Sequence, residues 1–255
     1  MLMLYFSGTG NSKYIARQFS SRMGCGCLSI EDNADFNSLI RKTDTVAVCY
    51  PIYGSCVPRI MREFAKTHSE ALKDKKLIIF CTQMMFSGDG ARAFARLLPG
   101  CDKNVIYAEH FDMPNNISNA KFLPIRDSER KRKKRLADKK LARVCADIEK
   151  GTIKRRGWNS FSQFLGRMQN SGWLEVESKQ KGSFKADESC IKCGRCVKCC
   201  PVHNLELGEN GIVQKNNCIL CYRCVNICPK KAASVLTNKK PKRQYKGIVK
   251  ARAHV

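Results

Sequence analysis

Acidic side chains are few in this chain: 22 Asp and Glu stand against 47 Lys and Arg in 255 residues, a formal net charge of +25. So one-sided a balance promotes association with acidic partners and permits non-specific contact with nucleic acid or anionic lipid. Long apolar runs are missing too. No 18 consecutive apolar residues occur, so no membrane span is expected. Met1-Leu2-Met3-Leu4-Tyr5-Phe6 is apolar but short and lacks a basic flank, so no secretory leader is expected. Gly-x4-Gly-Lys-Ser/Thr is absent, which excludes a Walker-type phosphate loop. Without Cys-x3-Cys-x2-Cys, a radical-SAM activase is not expected. The four histidines, His68, His110, His203 and His254, form no motif and read as structural or exposed.

Cysteine, by contrast, is abundant, with sixteen residues. In a chain without a leader this favours a reducing cytoplasm and metal ligation over disulfides. Cys190, Cys193, Cys196 and Cys200-Pro201 are followed by Cys218, Cys221, Cys224 and Cys228-Pro229. That is Cys-x2-Cys-x2-Cys-x3-Cys-Pro written twice, the spacing that holds two [4Fe–4S] clusters, the fourth cysteine of each run serving the other cluster. One set is therefore Cys190, Cys193, Cys196 and Cys228; the other is Cys218, Cys221, Cys224 and Cys200. The competing readings are two zinc ribbons or a disulfide framework, but zinc sites use paired Cys-x2-Cys motifs rather than a triple with Cys-Pro. Cys25, Cys27, Cys49, Cys56, Cys81, Cys101 and Cys145 show no ligand-like grouping, and buried packing is expected for them.

The two runs also form an internal repeat. Ile191/Ile219, Arg195/Arg223, Val197/Val225 and Pro201/Pro229 coincide when the cysteines are aligned. Cys199 falls in the slot of Ile227 and reads as a small buried hydrophobe. This repeat resembles bacterial two-cluster ferredoxins over residues 183–236. Gly208-Glu209-Asn210-Gly211 between the runs suits a tight hairpin turn.

The first half reads differently. An apolar strand over residues 2–6 runs into Ser7-Gly8-Thr9-Gly10-Asn11-Ser12, and a helix pattern follows with Tyr14, Ile15, Phe19 and Met23 on one face. A Gly-rich turn between a strand and a helix N-terminus is an anion cradle. Strands at Cys27–Ile30, Thr45–Tyr50, Leu77–Thr82 and Asn104–Ala108 alternate with helices near Pro58–His68, Gly90–Leu98 and Asp127–Lys150. The pattern predicts an α/β fold with a doubly wound parallel sheet of five strands, order 2-1-3-4-5, whose ligand sits beyond the strands' carboxyl ends. The loops there are Pro51-Ile52-Tyr53-Gly54, then Gln83-Met84-Met85-Phe86-Ser87-Gly88, then Met113-Pro114-Asn115-Asn116. Leu136, Leu141, Val144 and Ile148 form the expected buried stripe of the last helix. Trp158, Phe161, Leu165 and Met168 predict a short amphipathic helix that packs with Trp173. Gly88-x-Gly90-x-x-Ala93 mimics a dinucleotide fingerprint with Glu109 about 20 residues on, but it belongs to the fourth strand and is read as a decoy.

The hydroxyl-rich first loop resembles the loop that grips the FMN phosphate in flavodoxins. The resemblance implies phosphate contacts from Ser7, Thr9, Gly10, Asn11 and Ser12. It also implies a ring seat among Pro51, Ile52, Tyr53, Gly54, Gln83, Met84, Met85, Phe86 and Gly88. Taken with the cysteine runs, nearly the whole chain resembles a clostridial type of flavodoxin–ferredoxin fusion, which implies an anaerobic setting and electron transfer between FMN and two [4Fe–4S] clusters. The expected boundaries are 1–150 for the flavodoxin-like domain, 151–182 for a linker, 183–236 for a small α+β ferredoxin domain and 237–255 for a basic tail. Two clusters and an FMN phosphate would lower the net charge to about +19. The basic blocks Arg130–Arg135 and Lys239–Arg243 remain, unlike the acidic surface usual for flavodoxins and ferredoxins. The expected partner is an acidic redox protein; nucleic acid is not expected, and monomer and homodimer both stay open. A flavin-dependent reductase of a small molecule, fed by its own clusters, is the alternative to a carrier, and a binding module using the basic tail is a third class.

Overall fold

The computed structural model describes residues 1–120, 123 and 125–249, and these form two compact units. The first takes Met1–Ser7, Asn11–Met113 and Lys133–Leu174. Its elements run β1 (Leu2–Tyr5), α1 (Asn11–Met23), β2 (Gly26–Ser29), α2 (Phe36–Arg41), β3 (Thr45–Pro51), α3 (Arg59–Thr67), α4 (Ser69–Leu72), β4 (Lys76–Gln83), α5 (Gly90–Ala95) and β5 (Val105–Asp112). Then come the C-terminal part of α6 (Asp127–Glu149), β6 (Lys154–Arg155) and the N-terminal part of α7 (Ser160–Lys179). The strands pair in parallel in the order β2-β1-β3-β4-β5-β6. Central strands of such a sheet are covered on both faces and need apolar residues throughout; β1 and β3 are accordingly buried almost end to end. Phe19, Phe80 and Phe111 are fully buried and meet edge to face at 5.0 and 5.4 Å.

The expected order 2-1-3-4-5 is present, with one strand more than expected. Lys154–Arg155 adds beside Tyr107–Ala108. Glu109 on β5 is 1% exposed and pairs with Lys154 at 3.3 Å, Arg156 at 3.2 Å and Lys140 at 3.6 Å. A buried carboxylate needs such partners, and two of them flank or lie in the added strand.

Two helix faces differ from expectation. On α6 the buried residues are Lys133, Ala137, Leu141, Val144 and Cys145, while Leu136 is exposed and Ile148 only half-buried. Lys133 takes the stripe position because two carbonyls need its ammonium. Helix α7 is longer than expected, and its apolar residues Phe161, Phe164 and Met168 are 59–68% exposed, whereas Ser162 and Gly166 are buried. The cause is close backbone approach: a Cβ on Gly88 would lie 2.6 Å from the Gly166 nitrogen, so only small residues fit on that face.

The second unit takes Gly8–Gly10, Pro114–Arg132 and Glu175 onward. The strands β7 (Lys185–Ala186) and β10 (Ala233–Ser234) pair antiparallel, and β8 (Leu205–Gly208) forms a hairpin with β9 (Gly211–Gln214) across the predicted turn. Each cysteine run carries a short helix, α8 (Arg195–Lys198) or α9 (Arg223–Ile227). The stretch after Thr237 is not a free basic tail. Tyr245 and Ile248 are buried, and Gln244 Nε2 donates to the Val225 and Cys228 carbonyls at 2.9 and 2.7 Å. Residues 250–255 of the expected tail lie outside the described residues. Among the described residues no helix is long and apolar enough to cross a membrane.

Candidate redox site

The repeat seen in sequence recurs in the backbone. Residues with positive φ occur at Lys192 and Leu220, Gly194 and Tyr222, and His203 and Lys231, matching positions of the two runs. Left-handed conformation at non-glycine residues is costly and persists where the surroundings require it. Here it folds each run around a cavity. One cavity is lined by Cys190, Cys193, Cys196 and Cys228, the other by Cys200, Cys218, Cys221 and Cys224. Those are the two sets expected from spacing, including the exchanged fourth cysteine. Phe184 lines both.

The donor chemistry fits an iron–sulfur group. Backbone amides point at the sulfurs: Asn204 to Cys200 at 3.3 Å, Ala232 to Cys228 at 3.2 Å and Leu220 to Cys218 at 3.4 Å. Asn204 and Ala232 are repeat counterparts. Burial pushes the Cys221 thiol up to about 12 despite the amide and guanidinium of Arg223, and the Cys224 thiol rises well above its usual value for the same reason. Enclosed sulfurs of this kind carry negative charge only beside a metal, which displaces their protons on binding. Cys199 is half-buried, and its thiol is likewise raised to about 11 by burial; it lines neither cavity.

The predicted phosphate loop leaves β1 and enters α1. Ser7 and Ser12 are buried, while Thr9, Gly10 and Asn11 are half-exposed. Ser12 Oγ lies 2.8 Å from Thr82 Oγ1 on β4, which fixes the start of α1. Gly10 has φ of +102° with open space where a Cβ would be, so conformation rather than room requires glycine there. Thr9 Oγ1 accepts from Asn116 Nδ2 at 2.9 Å, which leaves the hydroxyl proton to donate elsewhere. The helix N-terminus and the hydroxyls suit a dianionic phosphate without any cationic side chain.

The loops expected to seat the flavin ring are placed as follows. Pro51 ends β3, and the Ile52 amide donates to the Thr82 carbonyl at 2.9 Å. Tyr53 and Cys56 close a tight turn with reciprocal backbone bonds of 3.2 and 2.9 Å. Gly54 is approached by Trp173, whose ring lies 6.1 Å from that of Tyr53, and Gly88 by Gly166. At these two glycines the close neighbour is therefore α7. Gln83 is tied to Asp112 at 2.8 Å and accepts from Ser87, and the Met84 carbonyl accepts from Lys133. Met85 and Phe86 are 70% and 49% exposed. The packing of α7 on Gly88 also closes the dinucleotide decoy, which opens a helix of only six residues.

Ser87 Oγ lies 3.3 Å from His110 Nδ1, the proximity of a nucleophile and its base. The tautomer argues otherwise. His110 Nε2 accepts from the Ala91 amide at 3.2 Å, so the ring proton sits on Nδ1 and the ring cannot take one from Ser87. Burial, aided by Arg156, lowers this imidazole to about 4. Asn116, Lys133 and Arg223 stand in a loop, a basic block and a repeat that the sequence marks, but the hydrogen bonds they make here were not legible from spacing.

A flavodoxin domain family matches residues 2–122, and a 4Fe–4S dicluster domain family matches residues 189–232. Similar solved structures include a protein from Bacteroides eggerthii assigned as a flavoprotein, 24% identical, with a TM-score of 0.37, covering 43% of this chain and 86% of its own. Others are an archaeal flavodoxin (15% identity, TM-score 0.36, 56% and 96%) and oxidised flavodoxin 1 from Bacillus cereus (15%, 0.39, 58% and 96%). No curated protein matches the chain.

Proposed function

We propose that this chain, in which a flavodoxin-like domain over residues 2–122 precedes a 4Fe–4S dicluster domain over 189–232, carries electrons between FMN and two [4Fe–4S] clusters and exchanges them with an acidic redox protein. The observation that carries the reading is the pair of cavities, each lined by four cysteines drawn from both runs. FMN would supply chemistry in one- and two-electron steps. Ser7, Thr9, Gly10, Asn11 and Ser12 would hold its phosphate, and the loops at Pro51–Gly54 and Gln83–Gly88 would border its ring. Amide donors to the cysteine sulfurs favour the reduced, more negative clusters. The excess of cations steers an acidic partner toward the surface.

Anaerobic purification with iron, sulfide and flavin analysis tests this. The expected result is about eight iron, about eight sulfide and one FMN per chain, with two [4Fe–4S] signals on reduction. Bound zinc without labile sulfide would overturn the cluster reading, and absence of flavin would overturn the FMN reading.

A further inference from the structure

The two cysteine runs match in sequence and in backbone but not in burial. Ile191 is 56% exposed and its counterpart Ile219 is 2% exposed. Cys193 is exposed where Cys221 is buried, and Val197 is half-buried where Val225 is buried. One cysteine site is thus open at its ligands and flanks and the other enclosed there, although the two cavities themselves are closed to about the same degree.

The enclosed site is joined to the middle of the phosphate loop. Arg223, between Cys221 and Cys224, donates from Nε to the Gly8 carbonyl at 3.0 Å and from Nη1 to the Cys199 carbonyl at 3.3 Å. A second route runs from Asn226 Nδ2 to the Asn116 carbonyl at 2.9 Å, and from Asn116 Nδ2 to Thr9 Oγ1 at 2.9 Å. The repeat counterpart of Arg223, Arg195, is exposed. Arg195 and Lys230 line the open cavity, and Lys192 and Lys198 are exposed beside its ligands in sequence; the adjoining cavity, which shares Cys190, is lined by Asp187 and Glu209, and Lys192 Nζ donates to the Glu209 carbonyl at 2.7 Å. Asp187 is paired with Lys240 at 3.0 Å.

We propose that the Cys190/Cys193/Cys196/Cys228 site is the port at which an acidic redox protein docks, and that the Cys200/Cys218/Cys221/Cys224 site is the relay to the phosphate loop. The inference rests on the cofactor reading above. Ile191 supplies an apolar centre, and the surrounding cations supply steering and register, as suits a small, transient electron-transfer contact. Tunnelling decays steeply with distance, so the centre nearest the partner receives first. Each encounter oxidises the donor by one electron and reduces this protein by one. Two encounters, with protons drawn from solvent, match the two-electron capacity of a flavin. Arg223 is a positioning residue: it holds the relay run to the loop and would set a positive charge beside cofactors that become more negative on reduction.

The test is stopped-flow reduction of the holoprotein by a pre-reduced acidic two-cluster ferredoxin, beside reduction by dithionite. In the triple variant Lys192→Glu, Arg195→Glu, Lys198→Glu, ferredoxin-driven reduction should slow by about tenfold or more and lose its salt dependence. Dithionite, which reduces through a small anion, should slow far less than the ferredoxin, and iron content should stay unchanged. A control reversal at Lys42, Lys66 and Lys73, all exposed on the first unit, should change little. If the triple variant loses iron, Lys230→Glu provides the same comparison with a smaller slowing. Arg223→Gln should leave the ferredoxin step intact, slow the later flavin phase and weaken FMN binding, while Arg223→Lys restores part of each. Equal slowing by the control reversal, or none from the port reversal, overturns the port. A holoprotein with clusters and FMN but no effect of Arg223→Gln overturns the relay. Absence of clusters or FMN fails the underlying reading instead.

Discussion

Lys133 Nζ donates to the Met84 carbonyl at 2.6 Å and also to the Met113 carbonyl at 3.1 Å. One ammonium from the middle of a basic run thereby ties the loop after β4 to the loop after β5, at the carboxyl edge where a ligand of such a sheet binds. The run Arg130–Arg135 is not a uniform solvated face, since Arg130 likewise donates to the Ile248 carbonyl at 3.0 Å.

Lys133→Ala should accordingly cost about 2 kcal/mol, because two carbonyls lose a charged donor in a buried setting. Lys131→Ala, at an exposed position of the same run, should change stability by less than about 0.5 kcal/mol. Denaturant midpoints of the two variants decide it. Equal midpoints would mean that the Lys133 contacts contribute nothing.

The ligand sets give a second expectation. Cys193→Ser should remove about half of the iron and destabilise the second unit, because metal binding there is folding free energy. Cys199→Ala should keep the full content, since Cys199 lines neither cavity. Iron loss in Cys199→Ala would place that thiol among the ligands.

Much of this was legible from spacing. Eight cysteines in two runs determine a pattern that very few arrangements satisfy, and the cavities group them in the expected sets. Strands with continuous apolar residues, such as Leu77–Phe80, announce themselves for a similar reason. What spacing hid were contacts made by residues whose type suggests another role. Lys133 sits where an apolar residue would, and only its spacing of four from Ala137 and eight from Leu141 marks the stripe. Phe161, Phe164 and Met168 look like a core face, yet the buried face of α7 is the one carrying Gly166, because Gly88 leaves room only for backbone. Charge in Lys239–Arg243 concealed a segment whose neighbours Gln244 and Tyr245 are buried.

The phosphate loop is testable by subtraction. Replacing Thr9 and Asn11 together by Ala should weaken FMN by at least about tenfold more than riboflavin, which lacks the phosphate, since about 1.4 kcal/mol of lost hydrogen bonding suffices. Fluorescence titration of the flavin-free protein reads both affinities. Equal losses would move the phosphate away from this loop.

Truncation after Thr237 should lower cluster retention rather than partner affinity alone. It removes Gln244, which bonds the Val225 and Cys228 carbonyls, and the Tyr245 amide, which donates to Asn226 Oδ1 at 2.7 Å. Gln244→Ala should reproduce part of the effect, at about 1–2 kcal/mol. The measurement is iron release to a chelator on warming. An unchanged release rate in both variants would show that this segment does not brace the second run.

His110 sets the last expectation, and its sign follows from geometry. The neutral ring accepts the Ala91 amide at Nε2, and protonation would turn that acceptor into a donor facing another donor. Burial lowers this imidazole from 6.5 to about 4, with Arg156 and Lys140 lowering it further and Glu109 opposing them. A histidine depressed in the folded state contributes stability that is present above its unfolded value of 6.5 and lost as pH falls toward about 4. The loss across that window is on the order of 3 kcal/mol. Denaturant midpoints measured anaerobically at pH 7 and pH 5 should fall more for the native protein than for His110→Gln, a difference in which any acid sensitivity shared by both proteins cancels. Parallel falls in the two proteins would remove His110 as the source.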